Sequence, residues 1–153
     1  MDYDKKLQEL YIELPFITPG MGVVSQFALI GKELIISPQL PIADGRLVEK
    51  GRVGAEVNLD RARHAARVAC IWNLAIIAHH CKGTLNKVSK IISIDIDIAA
   101  GVGFYDHDKV ADGASSLIEE IFGANATHMR TIRGVANLQK NSTLQVGMRV
   151  LLK

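Results

Sequence analysis

Two side chains near the end of the chain have the chemistry to hold a small anion. Arg130 and Gln145 fall within His128 to Met148 (HMRTIRGVANLQKNSTLQVGM), which reads as two β-strands joined by a polar turn, Gln139-Lys140-Asn141-Ser142. Arg130 sits on the first strand and Gln145 on the second. If the strands pair, or line one cleft, a guanidinium and a primary amide converge on one ligand. A guanidinium is permanently charged, and its planar fork of donors matches a carboxylate in two hydrogen bonds. The plain alternative is an arginine on a solvated or ion-paired strand face.

Other residues with chemical potential read differently. Asp95 and Asp97 share one strand face, about 7 Å apart by strand geometry. Paired carboxylates can do acid/base work, but here they fit ion pairing better, and Arg149 is expected to pair with one of them at a subunit interface. His79, His80 and Cys81 are metal-ligand types, yet adjacent helical residues point in different directions and cannot chelate together. His107, between Asp106 and Asp108, reads as a surface helix cap. Cys70 and Cys81 are eleven apart in one helix, too far to bridge, and fit reduced thiols of a cytosolic protein. Nothing marks either as an activated nucleophile. Gly101-Val102-Gly103 lacks the strand–turn–helix grammar and the lysine of a phosphate loop. No metal and no cofactor is expected.

The elements that must position these residues follow from periodicity. Asp2 to Leu14 carries Leu7, Leu10, Tyr11 and Leu14 at helical spacing, capped by Asp2 and stopped by Pro15. It is expected to pack on the domain or on a neighbouring subunit. Ile17 to Met21 reads as loop with a Pro19-Gly20 turn. Val23–Ile30 and Glu33–Ser37 form a hairpin about Gly31-Lys32, a two-residue turn of the II′ type. An irregular loop through Pro38, Pro41 and Asp44-Gly45 runs to about Arg52. Glu56 to Cys81 is a long helix whose buried face counts Ala62, Ala65, Ala69, Trp72, Ile76 and His79 or His80, with Gly83 as its left-handed stop. Val88 to Ala99 alternates with period two, placing Ile92, Ile94, Ile96 and Ile98 on one face of a central strand. A second helix runs from His107 or Asp108 to Phe122, with Gly123 closing it. Strands Met129–Ala136 and Thr143–Leu151 finish the chain.

The order is β-β-α-β-α-β-β after an extra N-terminal helix, an α+β arrangement with both long helices on one face of the sheet. A length of 153 residues fits a single domain over 1–153, with 2–14 as a helical extension. Eighteen basic residues against sixteen acidic ones are scattered, and aromatics are only 5%, so a nucleic-acid partner gets little support. The N-terminus lacks the apolar stretch of a signal peptide, and no apolar run approaches a membrane span. A cytoplasmic location is expected.

The element order, the segment Ser37-Pro38-Gln39-Leu40-Pro41, and Met129-Arg130 followed by Gly134-Val135-Ala136-x-Leu138 resemble the RidA (YjgF-like) family. Its members are reactive-intermediate enamine/imine deaminases, some labelled L-PSP endoribonuclease. Val110-Ala111-Asp112-Gly113-Ala114-Ser115 with Phe122-Gly123 is similar to a longer-chain branch that carries an N-terminal helical extension. The resemblance covers about residues 22–152 and implies a chorismate-mutase-like fold assembled as a homotrimer, with three clefts between subunits. Arg130 matches the arginine that grips the substrate carboxylate. Ser37 matches a serine that approaches the substrate. Gln145 stands where the family has a glutamate that orients or activates the hydrolytic water. Val24, at the position of a tyrosine, and Asp112 complete the implied substrate-binding set.

The departures carry chemistry. Glutamine positions a water by hydrogen bonds but cannot take its proton. Pro38 replaces a glycine and removes a backbone N–H from the cleft, and Leu138-Gln139 replaces a Leu-Pro pair. The resemblance thus implies binding of small carboxylates or imino/enamino acids, and hydrolysis of such intermediates to keto acids and ammonia. The alternatives are a non-catalytic ligand-binding or interaction module on the same scaffold and, third, an endoribonuclease.

Overall fold

The computed structural model describes residues 1–18 and 22–153. The expected Pro19-Gly20 turn lies outside them. Among the described residues, three α-helices, α1 (Tyr3–Glu9), α2 (Leu59–His80) and α3 (His107–Phe122), combine with seven strands: β1 (Phe27–Ile30), β2 (Glu33–Gln39), β3 (Ile42–Ala43), β4 (Arg46–Leu47), β5 (Val88–Ala99), β6 (Met129–Val135) and β7 (Leu144–Leu152). Five of the strands form one sheet in the order β1-β2-β7-β5-β6, and β3 and β4 form a separate small hairpin. This is the expected α+β arrangement.

The alternation in β5 builds the core. Ile94, Ile96 and Ile98 are fully buried, while Asp95 and Asp97 are half-buried on the other face. Burying each isoleucine stabilises the fold by roughly 1.5–3 kcal/mol. The expected member Ile92 is not on this face. The β5–β7 register shifts between Ile91 and Ser93, and the bulge hands the inward position to Ile91, which is fully buried. Leu144, Val146, Met148 and Val150 of β7 bury beside these residues.

On α2, Asn58 caps the first turn by accepting from the Arg61 N–H at 2.9 Å. Ala62, Ala65, Ala66 and Ala69 are wholly buried, and these small side chains let the helix lie close to its neighbours. Gly113 of α3 marks the tightest approach: a Cβ there would stand 2.0 Å from the Arg63 carbonyl oxygen. Trp72 is only half-buried and donates its indole N–H to the Ile42 carbonyl at 2.8 Å. His79 is exposed and His80 half-buried, edge-on to Phe27, so neither belongs to the buried face.

Three other readings are settled or corrected. Strands β6 and β7, whose pairing was one of two alternatives, do not pair, because β5 lies between them, parallel to β6 and antiparallel to β7. The N-terminal helix stops at Glu9 rather than near Pro15. Tyr11 adopts φ 56°, and the N–H groups of Tyr11 and Ile12 close back on the Gln8 and Leu7 carbonyls, a Schellman-type stop without glycine. Tyr11 is consequently 97% exposed. The inward residues of α1 are Tyr3, packed edge-on against Phe122, and Leu7. Asp4 accepts from the Thr84 hydroxyl and the Leu85 N–H, so the helix docks on its own chain. The third correction is the stretch after Pro41, where Asp44 (φ 53°) and Gly45 (φ 76°) turn the β3–β4 hairpin.

Among the described residues, no helix is long and apolar enough to cross a membrane.

Candidate functional site

Register decides where Arg130 points. It lies in one row with Ile94, Met148 and Ile36 across β6, β5, β7 and β2. The three apolar members are buried beneath the helices, so Arg130 emerges at the sheet edge on the helix-covered face, against α3. There Nη1 donates to Asp112 Oδ1 at 2.7 Å and to Ser115 Oγ at 3.2 Å. Asp112 and Ser115 are one helical turn apart and face the same way. Nε and Nη2 of Arg130 make no hydrogen bond to a described residue, and the side chain is 25% exposed. The guanidinium is therefore held by one nitrogen and offers its other edge.

Behind Arg130 the polar chain continues. Ser115 Oγ lies 3.0 Å from His128 Nε2, and His128 Nδ1 lies 2.6 Å from the Ala126 carbonyl oxygen. A carbonyl can only accept, so the neutral ring carries its proton on Nδ1, and Nε2 accepts from the Ser115 hydroxyl. A cavity of about 320 Å³ opens beside this pair, lined by Ser115, Glu119, Gly123, Ala126, Thr127 and His128. Neither Ser115 nor His128 stood out in the sequence as a site residue. A signal was present: Ser115 follows Asp112 by three on a helix, and His128 precedes Arg130 by two, the same side of an extended chain.

Gln145 is elsewhere. It faces Asp97 and Arg133 in one row on the uncovered side of the sheet. Its amide donates to Asp97 Oδ2 at 2.8 Å, and Arg133 Nε donates to Oδ1 of the same carboxylate at 2.8 Å. Within one chain Arg130 and Gln145 thus occupy opposite faces. Ser37 lies on β2, beyond β7 and β5 from Arg130, about 14 Å away by strand spacing. Its hydroxyl accepts from the Gln39 amide at 3.2 Å. Pro38 follows in a bulge between Ile36 and Gln39, against which Gly147 packs without a side chain. Val24 is 79% exposed ahead of β1, beside a separate cavity of about 330 Å³ with Ser25, Gln26 and His79. One chain brings together Arg130 and Asp112, but not Gln145, Ser37 or Val24.

The remaining candidates take structural places. Arg149 pairs with Glu33 at 2.6 Å and not with Asp95 or Asp97. Asp97 already sits between its direct cross-strand neighbours Gln145 and Arg133, four residues along β5 from the row of Arg149. His107 opens α3 half-buried against Phe104, and Asp106 at the N-cap makes no capping hydrogen bond. Burial pushes the Cys70 thiol up to about 12 and also raises that of Cys81. Neither is an activated nucleophile. Among the described residues no group of three His, Cys, Asp or Glu side chains could hold a metal.

The fold recurs in other proteins. The Trypanosoma cruzi protein TCP17 is 31% identical over 148 residues, covering 95% of this chain and 91% of its own length. The crystal structure of Atu1372, a protein of unknown function from Agrobacterium tumefaciens, superposes with a TM-score of 0.91 at 28% identity, covering 99% of this chain and 93% of that one. A Shewanella oneidensis structure described as a "putative endoribonuclease" gives 0.93 at 27% identity, covering 99% and 100%. The family described as "YjgF/chorismate_mutase-like, putative endoribonuclease" matches residues 4–150. With the match running from α1 through β7, and so through both Arg130 and Gln145, the chain belongs to the YjgF (RidA) family.

Proposed function

We propose that this protein binds small carboxylates, imino or enamino acids among them, through Arg130, and hydrolyses the imino acids to keto acids and ammonia. The observation that carries this reading is the half-engaged guanidinium. One nitrogen is fixed by Asp112 and Ser115, while Nε and Nη2 remain available for a bidentate carboxylate. The working form is a homotrimer. Arg130 on one face and Gln145 on the other meet at one ligand only when two copies supply them.

A second reading, a binding module without turnover, draws on Gln145. Its amide is committed to Asp97 and cannot accept a proton from water. Cleavage of RNA has less support. Arg61, Arg67, Arg133 and Arg149 are each paired with an acid, which leaves no basic stripe from these residues to track phosphates.

The test is hydrolysis of an amino-acid-derived imine, generated in situ, by wild type, Arg130→Ala and Gln145→Glu. Turnover by wild type that is lost in Arg130→Ala supports the deaminase. An inert wild type with an active Gln145→Glu supports the binding module.

A further inference from the structure

We propose that the cavity beside the β3–β4 hairpin is an anion site separate from Arg130, one that takes a small phosphate-bearing ligand with two or more negative charges.

The cavity measures about 380 Å³ and is lined by Gly45, Arg46, Leu47, Lys50 and Lys140. Basic residues that are scattered along the chain meet here from three segments. Arg46 lies on β4, Lys50 on the stretch that follows it, and Lys140 in the short turn between β6 and β7. Backbone contacts fix these segments to one another. Lys50 bridges to Ser142, and the Gly51 N–H donates to the Asn141 carbonyl at 2.9 Å. The Thr143 hydroxyl donates to the Gly51 carbonyl at 2.9 Å, and Arg46 pairs with Ala43 across the hairpin.

Three cations in one concavity raise the local concentration of anions. No carboxylate lines the cavity, and none of the three cations is in an ion pair among the described residues. Glu49, next to Lys50 in the chain, is committed to Arg61, accepting from Nε at 2.8 Å and from Nη2 at 2.5 Å. Lys140 is held at φ 57° and Asn141 after it at φ 60°. Asparagine tolerates this left-handed backbone through its short polar side chain, and lysine has no such compensation. Glycine would meet the same backbone without strain, yet the chain carries a cation there.

The donor set selects phosphate. A carboxylate brings one charge and two oxygens. A phosphate group brings up to two charges and three acceptor oxygens, so one ligand can engage three separate donors. A nucleic acid would need basic groups that continue beyond the cavity, whereas Arg61, Arg67, Arg133 and Arg149 are paired with acids.

The experiment is calorimetric titration of the full chain with pyrophosphate, using wild type, Arg46→Gln, Lys50→Gln and Lys140→Gly. Lys140→Gly removes the charge and relaxes the backbone, so it keeps the fold. Wild type is expected to bind saturably, with an affinity that falls as ionic strength rises. Each substitution is expected to weaken binding about 10-fold or more, and excess 2-oxo acid leaves pyrophosphate affinity unchanged. Absence of saturable binding to wild type, or wild-type affinity in Lys140→Gly, overturns the proposal. Displacement of pyrophosphate by the 2-oxo acid overturns the separate site. A uridine oligonucleotide that binds through the same three residues more tightly than pyrophosphate overturns the small-ligand assignment. Should Arg46→Gln or Lys50→Gln not fold, Lys140→Gly decides.

Discussion

Asp112 competes with any ligand for Arg130. Its carboxylate is 48% exposed and reaches only Nη1, the geometry of a solvent-screened pair, and such pairs contribute roughly 0.2–1 kcal/mol. An incoming carboxylate that takes Nε and Nη2 gains two charge-assisted bonds, so the internal pair does not close the site. Removing the competing charge strengthens the field at Arg130. Asp112→Asn is expected to tighten 2-oxo acid binding by up to about fivefold, read by calorimetric titration. Weaker binding would make Asp112 a positioning residue whose charge orients the guanidinium. At this scale the sequence reached Arg130 and Asp112 through their segments. It missed Ser115 and His128 because their spacing to Asp112 and Arg130 gains meaning only when register brings the helix against the strand.

Gly113 shows how an element-level contact fixes the site. Any Cβ there meets backbone at 2.0 Å, the Arg63 carbonyl, and backbone cannot swing aside as a side chain tip can. Gly113→Ala must push α3 off α2, and overpacking of this kind costs about 1–3 kcal/mol. Asp112 and Ser115 ride on α3, so their hold on Arg130 shifts with it. A lowered denaturation midpoint with weaker 2-oxo acid binding is expected. An unchanged midpoint would contradict the close-approach account. Helices α2 and α3 and the core of β5 were legible because their periodicity is strong and local. The order of strands was not. The polar turn at Gln139 to Ser142 says that two strands are neighbours in sequence, and nothing local says that β5 inserts between them. Tyr11 misled similarly, since helical spacing does not reveal a residue that leaves the helix at positive φ.

Across the whole molecule, the sheet is covered by helices on one side and by charge on the other. Asp97 accepts from Gln145 and Arg133 there, and Arg149 pairs with Glu33 through Nη2 while its buried Nε has no partner among the described residues; Ile30 and Met129 stay largely exposed. A face so mixed suits contact between copies, as the proposed trimer requires. The α+β class was legible from element order alone, whereas the placement of Arg130 and Gln145 on opposite faces depends on strand register, which the chain's local patterns do not encode. The central claim is that Arg130 is a carboxylate anchor and not a structural ion pair. Calorimetric titration of the wild type and of Arg130→Ala with a 2-oxo acid tests it most directly. Loss of two charge-assisted hydrogen bonds predicts saturable binding that weakens about 10-fold or more in the variant. Equal affinity in both proteins, or no binding to either, would contradict it.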